Sequence, residues 1–110
     1  MTPVFRGDVW WVSLDPTQGA EIQKTRPCLV LTSDVLNGSR QTVVVVPFST
    51  SARPHPPISV AVTCQGKPAV AIIDQIRAVS RQRLKAKIQT SPTATLRAVT
   101  KALADILEFD

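Results

Sequence analysis

The sequence predicts a mainly β protein with one C-terminal helix, folded as a small antiparallel barrel with the helix packed on it. Short β-branched segments alternate with turns that contain Pro and Gly, a spacing that favours a barrel or sandwich over a parallel sheet. One apolar stripe of helical period follows near the end of the chain. The chain has 110 residues, 44% of them hydrophobic and 19% charged, which is the composition of one globular domain over residues 1–110.

The first predicted strand, residues 8–14, is rich in aromatic and β-branched side chains. The two-residue period of a strand places Trp10 and Val12 on one face, which we expect to belong to the core. Trp11 then points the other way. Residues 15–25 follow as a loop that is long for a small domain, and long loops often carry function.

Two more strands are predicted before the middle of the chain. Residues 27–32 form the second strand, and residues 33–40 form a turn around Ser-Asp and Asn-Gly pairs. Residues 42–48 contain four consecutive valines, which is typical of a central strand buried on both faces. Pro47 is predicted to mark the end of this strand, because proline cannot donate to a ladder.

The second half of the chain continues the β pattern. A proline-rich loop at residues 49–57 precedes an alternating strand at residues 58–63. A tight turn at residues 65–68 leads to a long apolar strand at residues 69–79, and a short last strand follows at residues 84–89.

The C-terminal segment predicts a helix that runs nearly to the end of the chain. Ser91 is the expected N-cap and Pro92 the first helical residue. Apolar residues recur at three- and four-residue spacing, as one face of a helix requires. They are Leu96, Val99, Leu103, Ile106 and Leu107.

The charge balance indicates a nucleic-acid partner. Thirteen Lys and Arg against eight Asp and Glu give a net charge of +5, with a pI near 9.9. Such a basic chain is typical of nucleic-acid binding, although basic surfaces also serve solubility alone. The sequence contains no apolar run of membrane-spanning length and no apolar segment typical of a signal peptide, so we expect a cytoplasmic protein without membrane contact.

The cysteine and histidine content argues against a zinc site, and we expect the protein to use no metal and no other cofactor. Cys28 and Cys64 lie far apart in strand-like sequence, without the spacing of a metal site. Together with the one histidine, His55, they are too few for a zinc site within one chain. We expect both thiols to be free and buried, as is usual in the cytoplasm.

Polar residues beside the apolar strands are the candidates for chemistry. If neighbouring strands pair, several of them gather at one rim of the sheet. Taken singly, each is more often a solvated strand end, a turn residue or a bulge than a functional group. They are Glu21, Arg26, Ser49, Thr50, Asp74 and Gln75.

Three short motifs in this order resemble the MazF/PemK family of toxin ribonucleases. They are Gly-Asp-Val at residues 7–9, Gly-x-Glu at residues 19–21 and Arg-Pro at residues 26–27. The stretch 43–50 and the Asp-Gln-Ile-Arg run at residues 74–77 are similar to the family as well. The resemblance covers nearly the whole chain, and its specificity lies in the combination, since each motif alone is weak.

This resemblance implies an SH3-like barrel with a C-terminal helix, acting as a homodimer. Family members cut single-stranded RNA at short sequences without a metal, and an acidic MazE-like antitoxin inhibits them. The outward direction of Trp11 agrees with a homodimer, because a small barrel leaves apolar faces to cover.

The resemblance also implies roles for particular residues. The catalytic arginine of the family's Arg-Pro motif corresponds to Arg26. The family's catalytic hydroxyl follows the third strand, where this chain has Ser49 at the matching position and Thr50 next to it; which of the two acts is left open. The residues predicted to contact the substrate are Glu21, Trp11, Lys24, Asp74, Gln75 and Arg77.

The chemistry of RNA cleavage fits these residue types. RNA carries its own nucleophile, the 2′-OH, so a catalyst has to align that group and stabilise charge on the phosphorane oxygens. Arg26 offers a fork of donors that matches phosphate geometry. The expected products are a 2′,3′-cyclic phosphate and a 5′-hydroxyl. His55 matches no catalytic position of the family, and we interpret it as a loop or RNA-contact residue.

Two other functions are compatible with a small basic barrel. One is nucleic-acid binding without catalysis, and the other is peptide binding, since barrels of this kind often only bind. An arginine near a hydroxyl favours the nuclease over nucleic-acid binding alone, and peptide binding is compatible with the nuclease, because an acidic antitoxin would be such a partner.

Overall fold

The computed structural model describes residues 3–109, which form a seven-stranded antiparallel sheet and a long C-terminal helix. No helix among these residues is long and apolar enough to cross a membrane. In chain order, the elements are β1 (Asp8–Ser13), β2 (Thr25–Val30), α1 (Asp34–Asn37), β3 (Thr42–Ser49), β4 (Ser59–Cys64), β5 (Lys67–Ile72), β6 (Arg77–Ser80), β7 (Leu84–Thr90) and α2 (Thr93–Leu107).

Strand β3 organises the sheet. The strand order is β4-β5-β3-β2-β1-β7, and β6 also pairs with β3. The first part of β3, residues 42–45, pairs with β6, whereas Phe48 and Ser49 pair with β5. Strand β2 lies along the other side of β3. The four valines therefore occupy the centre of the sheet, as the sequence predicts.

The fold is mainly antiparallel β with a C-terminal helix, as predicted, but the sheet does not close into a complete barrel. Strands β4 and β7 are the two ends of the hydrogen-bonded order. The side chain of Gln89 in β7 crosses the gap. Its Oε1 accepts a hydrogen bond from the backbone N–H of Gln65 at 2.8 Å, and its Nε2 donates to the carbonyl oxygen of Thr63 at 3.5 Å.

The hydrophobic core has two parts, one on each face of the sheet. Trp10 and Val12 are buried in one part together with Cys28 and Val30, which confirms the predicted inward face of β1. The other part contains residues of the opposite face and the buried side of α2, including Val99. Burying an aliphatic side chain of this size contributes about 1.5–3 kcal/mol, so the apolar stripe is what holds α2 on the sheet.

The prediction of one long strand at residues 69–79 is wrong, since the structure has two strands there, β5 and β6. A 3-10 turn at Ile73–Gln75 separates the two strands. The N–H of Ile73 donates to the carbonyl of Ile58, and the N–H of Ile76 donates back to the carbonyl of Ile73. Before the turn, β5 pairs with β4 and with the end of β3. After the turn, β6 pairs with the first part of β3.

Two predicted boundaries also differ from the structure. Pro47 does not end β3, because the strand continues to Ser49 and Pro47 itself lies opposite Cys28. The N-cap of α2 is Pro92, without a side-chain cap, instead of Ser91. Ser91 is used differently: its backbone N–H donates to the carbonyl of Gly7 and ties the start of the helix to the chain before β1.

Candidate active site

A surface cavity of 270 Å³ lies beside strands β1 and β2, next to the β4–β5 hairpin and the end of β3. It brings together three of the predicted site residues: Arg26, Trp11 and Thr50. Trp11 lies on the face of β1 opposite the buried Trp10, as predicted, and is half-buried. The lining residues are Trp11, Thr25, Arg26, Pro27, Phe48, Thr50, Cys64, Gln65, Lys67, Pro68 and Ala69.

Arg26 is held at the cavity by the backbone of β2 and by one side-chain bond. It lies opposite Val12 in the β1–β2 ladder and is half-buried. Its Nε donates to the carbonyl oxygen of Gln23 at 3.2 Å. The terminal guanidinium nitrogens have no hydrogen-bond partner among residues 3–109, so two nitrogens with four N–H donors are available to a ligand.

The two candidate hydroxyls have different surroundings. The Oγ of Ser49 accepts hydrogen bonds from the backbone N–H groups of Ser51 and Ala52, both at 3.2 Å. This is the usual local chemistry of a serine that caps a turn. Ser49 does not line the cavity, whereas Thr50 is exposed and lines it together with Arg26. The geometry therefore favours Thr50 as the hydroxyl near the arginine.

The β4–β5 hairpin supplies residues that the sequence analysis missed. Gln65 and Gly66 both have positive φ, at 54° and 74°, in the two-residue connection between Cys64 and Lys67. Such a connection fits the twist of the flanking strands, and glycine makes it possible. It places Gln65 and Lys67 in the cavity. The turn was predicted, but nothing in its spacing linked it to Arg26.

The loop between β1 and β2 carries two more predicted residues, which the structure places outside the cavity lining. Glu21 is exposed, and its Oε1 accepts a hydrogen bond from the backbone N–H of Gln18 at 2.7 Å. Lys24 is exposed and adopts φ of 70°, while its carbonyl accepts from the N–H of Leu14. Both therefore lie on a loop whose shape is set by local hydrogen bonds.

Two of the predicted residues near position 75 support this loop instead of lining the cavity. Gln75 Oε1 accepts from the N–H of Ile22 at 3.4 Å, and Arg77 Nη1 donates to the carbonyl of Leu14 at 3.3 Å. Arg83, which was not predicted, donates to the carbonyls of Ser13 and Asp15. These side chains fix both ends of the loop. Asp74 is exposed in the 3-10 turn.

Neither the two thiols nor the histidine supplies a nucleophile to the cavity. Both cysteines are free and buried, as predicted. Burial raises the pKa of Cys28 to about 12 against the lowering effect of the Arg77 charge, and burial also raises the pKa of Cys64 at the cavity. Both therefore stay protonated near neutral pH. His55 is exposed in a bridge with Ser59, outside the cavity lining.

Groups of three or more potential metal ligands do not occur within residues 3–109, counting His, Cys, Asp and Glu side chains. The polar groups that line the cavity are two cationic side chains, two threonine hydroxyls, one amide, one thiol and one indole.

The sequence matches a known family over nearly its whole length. The model of the PemK-like, MazF-like toxins of type II toxin–antitoxin systems matches residues 5–107. The chain belongs to this family. Endoribonuclease PemK of Escherichia coli is 33% identical over 107 residues, which cover 93% of this chain and 80% of that protein. Endoribonuclease toxin MazF of Escherichia coli strain K12 is 32% identical over 74 residues, and this chain spans 66% of its length.

The fold is that of solved MazF structures. MazF from Deinococcus radiodurans superposes with a TM-score of 0.88 at 24% identity, covering 99% of this chain and 100% of that one. MazF in a MazE–MazF complex from the same organism superposes with a TM-score of 0.82 at 24% identity, covering 100% of both chains. At this level of identity the likeness establishes the MazF fold.

Proposed function

We propose that this MazF/PemK-family chain is an endoribonuclease toxin that cleaves single-stranded RNA, including mRNA, at short specific sequences. The observation that carries the proposal is that Arg26, Thr50 and Trp11 line one cavity. Family membership supplies the reaction class, and the cavity supplies the groups that this reaction needs. We place the activity in the cytoplasm, where such RNA is found.

The reaction uses the nucleophile that RNA carries. The 2′-oxygen attacks the adjacent phosphorus and gives up its proton to water. The bond from phosphorus to the 5′-oxygen breaks, and that oxygen takes up a proton from water and leaves as a hydroxyl. Arg26 donates hydrogen bonds to the non-bridging oxygens, where negative charge develops. The hydroxyl of Thr50 donates one more hydrogen bond to these oxygens. The products are a 2′,3′-cyclic phosphate and a 5′-hydroxyl, and no metal is required by this assignment of roles.

Trp11 supplies the preference for single strands. An indole at the edge of a cationic cavity is a platform on which one base stacks, and such stacking is worth about 1–3 kcal/mol per base. A base within a duplex is already stacked and paired, so it is not free to reach Trp11. The loop with Glu21 and Lys24, held by Gln75 and Arg77, lies between β1 and β2 and is the proposed source of sequence selection.

Incubation of the purified protein with a mixed-sequence single-stranded RNA in EDTA tests this function. We expect cleavage at a limited set of sites with EDTA present, and we expect the same sequence in a duplex to be spared. Mapping the cut sites gives the recognition sequence. A strict requirement for added magnesium would contradict the metal-independent assignment.

We also propose a homodimer that binds an acidic MazE-like antitoxin. Six large apolar side chains of residues 3–109 are 46–82% exposed, Phe5, Val35 and Leu36 among them, and a second chain would cover such surface. The net charge of +5 favours association with an acidic, disordered tail. For the protein without antitoxin, light scattering is expected to give a mass above the 11.9 kDa of one chain. Adding the antitoxin should raise the mass further. A single 11.9 kDa species under both conditions would refute the assembly.

A further inference from the structure

We infer that Lys67 forms a second phosphate-binding position in the active-site cavity, which takes a phosphodiester neighbouring the one that is cut. Gln89 is the positioning residue that holds it there. This inference rests on the proposed function, since it concerns how the same cavity binds RNA.

The charge of the cavity points to an anionic ligand with more than one phosphate. Its lining contains two cations, Arg26 and Lys67, and no carboxylate. Lys67 is exposed and forms no ion pair or side-chain hydrogen bond with any residue in 3–109. A chain that carries one charge per nucleotide satisfies both cations at once, whereas a single phosphate uses one of them.

The backbone of Lys67 is fixed more firmly than that of an ordinary surface lysine. It is the first residue of β5 and lies opposite Cys64 across the hairpin. The proline that follows it restricts Lys67 to extended backbone. The two hydrogen bonds from the side chain of Gln89 tie the hairpin to β7 across the open side of the sheet. The hairpin therefore holds the base of the lysine, and the ammonium group stays within reach of the cavity.

A lysine acts as a point charge, in contrast to the planar fork of arginine. A phosphate that does not react keeps the same charge in the ground state and in the transition state. A contact with it therefore strengthens binding of the substrate without changing kcat. This separates the role of Lys67 from the role of Arg26, which contacts the phosphate that reacts.

The test measures binding of a labelled single-stranded RNA with a 2′-deoxy nucleotide at the mapped cut site, which binds without being cut. Lys67→Ala is expected to weaken binding about 3- to 10-fold at low salt. It should reduce the slope of log affinity against log salt by about 0.7, the value for one lost phosphate contact on a single strand. The kcat for the cleavable RNA should stay unchanged, and Lys67→Arg should restore binding and slope.

Lys101→Ala is the matched control. Lys101 lies on α2, is exposed, and does not line the cavity, and its replacement removes the same single charge. It should leave the slope unchanged. The inference is overturned if Lys67→Ala shows the wild-type slope of log affinity against log salt. It is also overturned if Lys67→Ala lowers kcat while its affinity for the RNA stays unchanged. If wild-type protein neither binds nor cuts RNA, the proposed function itself falls, which is a separate result.

A double-mutant cycle tests the role of Gln89. Gln89→Ala should weaken RNA binding by less than Lys67→Ala does, because the lysine is still present. The double variant should bind no worse than Lys67→Ala alone, since Gln89 acts through Lys67. If the two losses multiply in the double variant, Gln89 acts independently and is not a positioning residue for this site.

Discussion

Replacing Arg26 by alanine is expected to reduce the rate of RNA cleavage by about 100- to 1000-fold, the typical cost of removing one preorganised donor to a developing oxyanion. The terminal guanidinium nitrogens have no partner within the described chain and are free to contact phosphate. The backbone of Arg26 stays in the β1–β2 ladder, so the fold and the assembly should survive. Single-turnover cleavage of one RNA, with circular dichroism as a check on folding, measures the effect.

Two further variants sharpen this prediction. Arg26→Lys should recover only part of the rate, because a point charge cannot reproduce a two-pronged contact. Arg97→Ala removes one positive charge from an exposed position of α2 and should cleave at the wild-type rate. If Arg26→Ala, purified free of endogenous ribonuclease, cleaved at the wild-type rate, Arg26 would not be catalytic. Nucleic-acid binding without catalysis would then be the better account of the protein's function.

The next largest effect is expected at Thr50. Thr50→Val keeps the shape of the side chain but removes the hydroxyl, and it should slow cleavage about 10- to 100-fold, since a hydrogen bond to a charged group is lost. Thr50→Ser keeps the hydroxyl and should retain most of the rate. The measurement is the same single-turnover assay, with RNA at saturating concentration.

Ser49→Ala is the matched comparison for Thr50. The Ser49 Oγ accepts two backbone hydrogen bonds in the turn after β3, so its loss should lower stability more than it lowers the cleavage rate. The structure thus predicts a larger rate effect at Thr50 than at Ser49, although the family resemblance of the sequence predicts Ser49 at the matching position. The reverse order of effects would reassign the hydroxyl to Ser49.

Sequence patterns predicted the elements that repeat a period and most of the turns between them, but missed the break between β5 and β6. The alternation in β1 identified Trp10 as buried and Trp11 as outward, because a strand has only two faces. Asp74, Gln75 and Arg77 interrupt the apolar run at 69–79, but this interruption did not place a corner at Ile73, since that residue is itself apolar and is buried within the turn. Its backbone bond to Ile58 is a tertiary contact, which local pattern does not encode.

The same limit applies to the candidate site. The sequence named Arg26 and Trp11, which line the cavity, as candidates. The Arg-Pro motif and the two-residue period of a strand are both local properties of the sequence. Arg77 was predicted to contact RNA, and that stays a prediction; the sequence did not show that its side chain also donates to the carbonyl of Leu14, which lies 63 positions away. Lys67 was missed for the same reason, because only the pairing of β5 with β3 and β4 brings the hairpin to the cavity. Side chains that meet across the sheet depend on register, which the sequence alone left open.

The ends of the RNA fragments test the central claim most directly, because that claim is that the 2′-OH of RNA is the nucleophile at the Arg26 cavity. Mass spectrometry of fragments made in EDTA should find a 2′,3′-cyclic phosphate on one side of each cut and a 5′-hydroxyl on the other. A single 2′-deoxy nucleotide at the cut site should abolish that cut alone. Fragments with 5′-phosphate and 3′-hydroxyl ends, or cleavage that persists at the 2′-deoxy site, would contradict the claim.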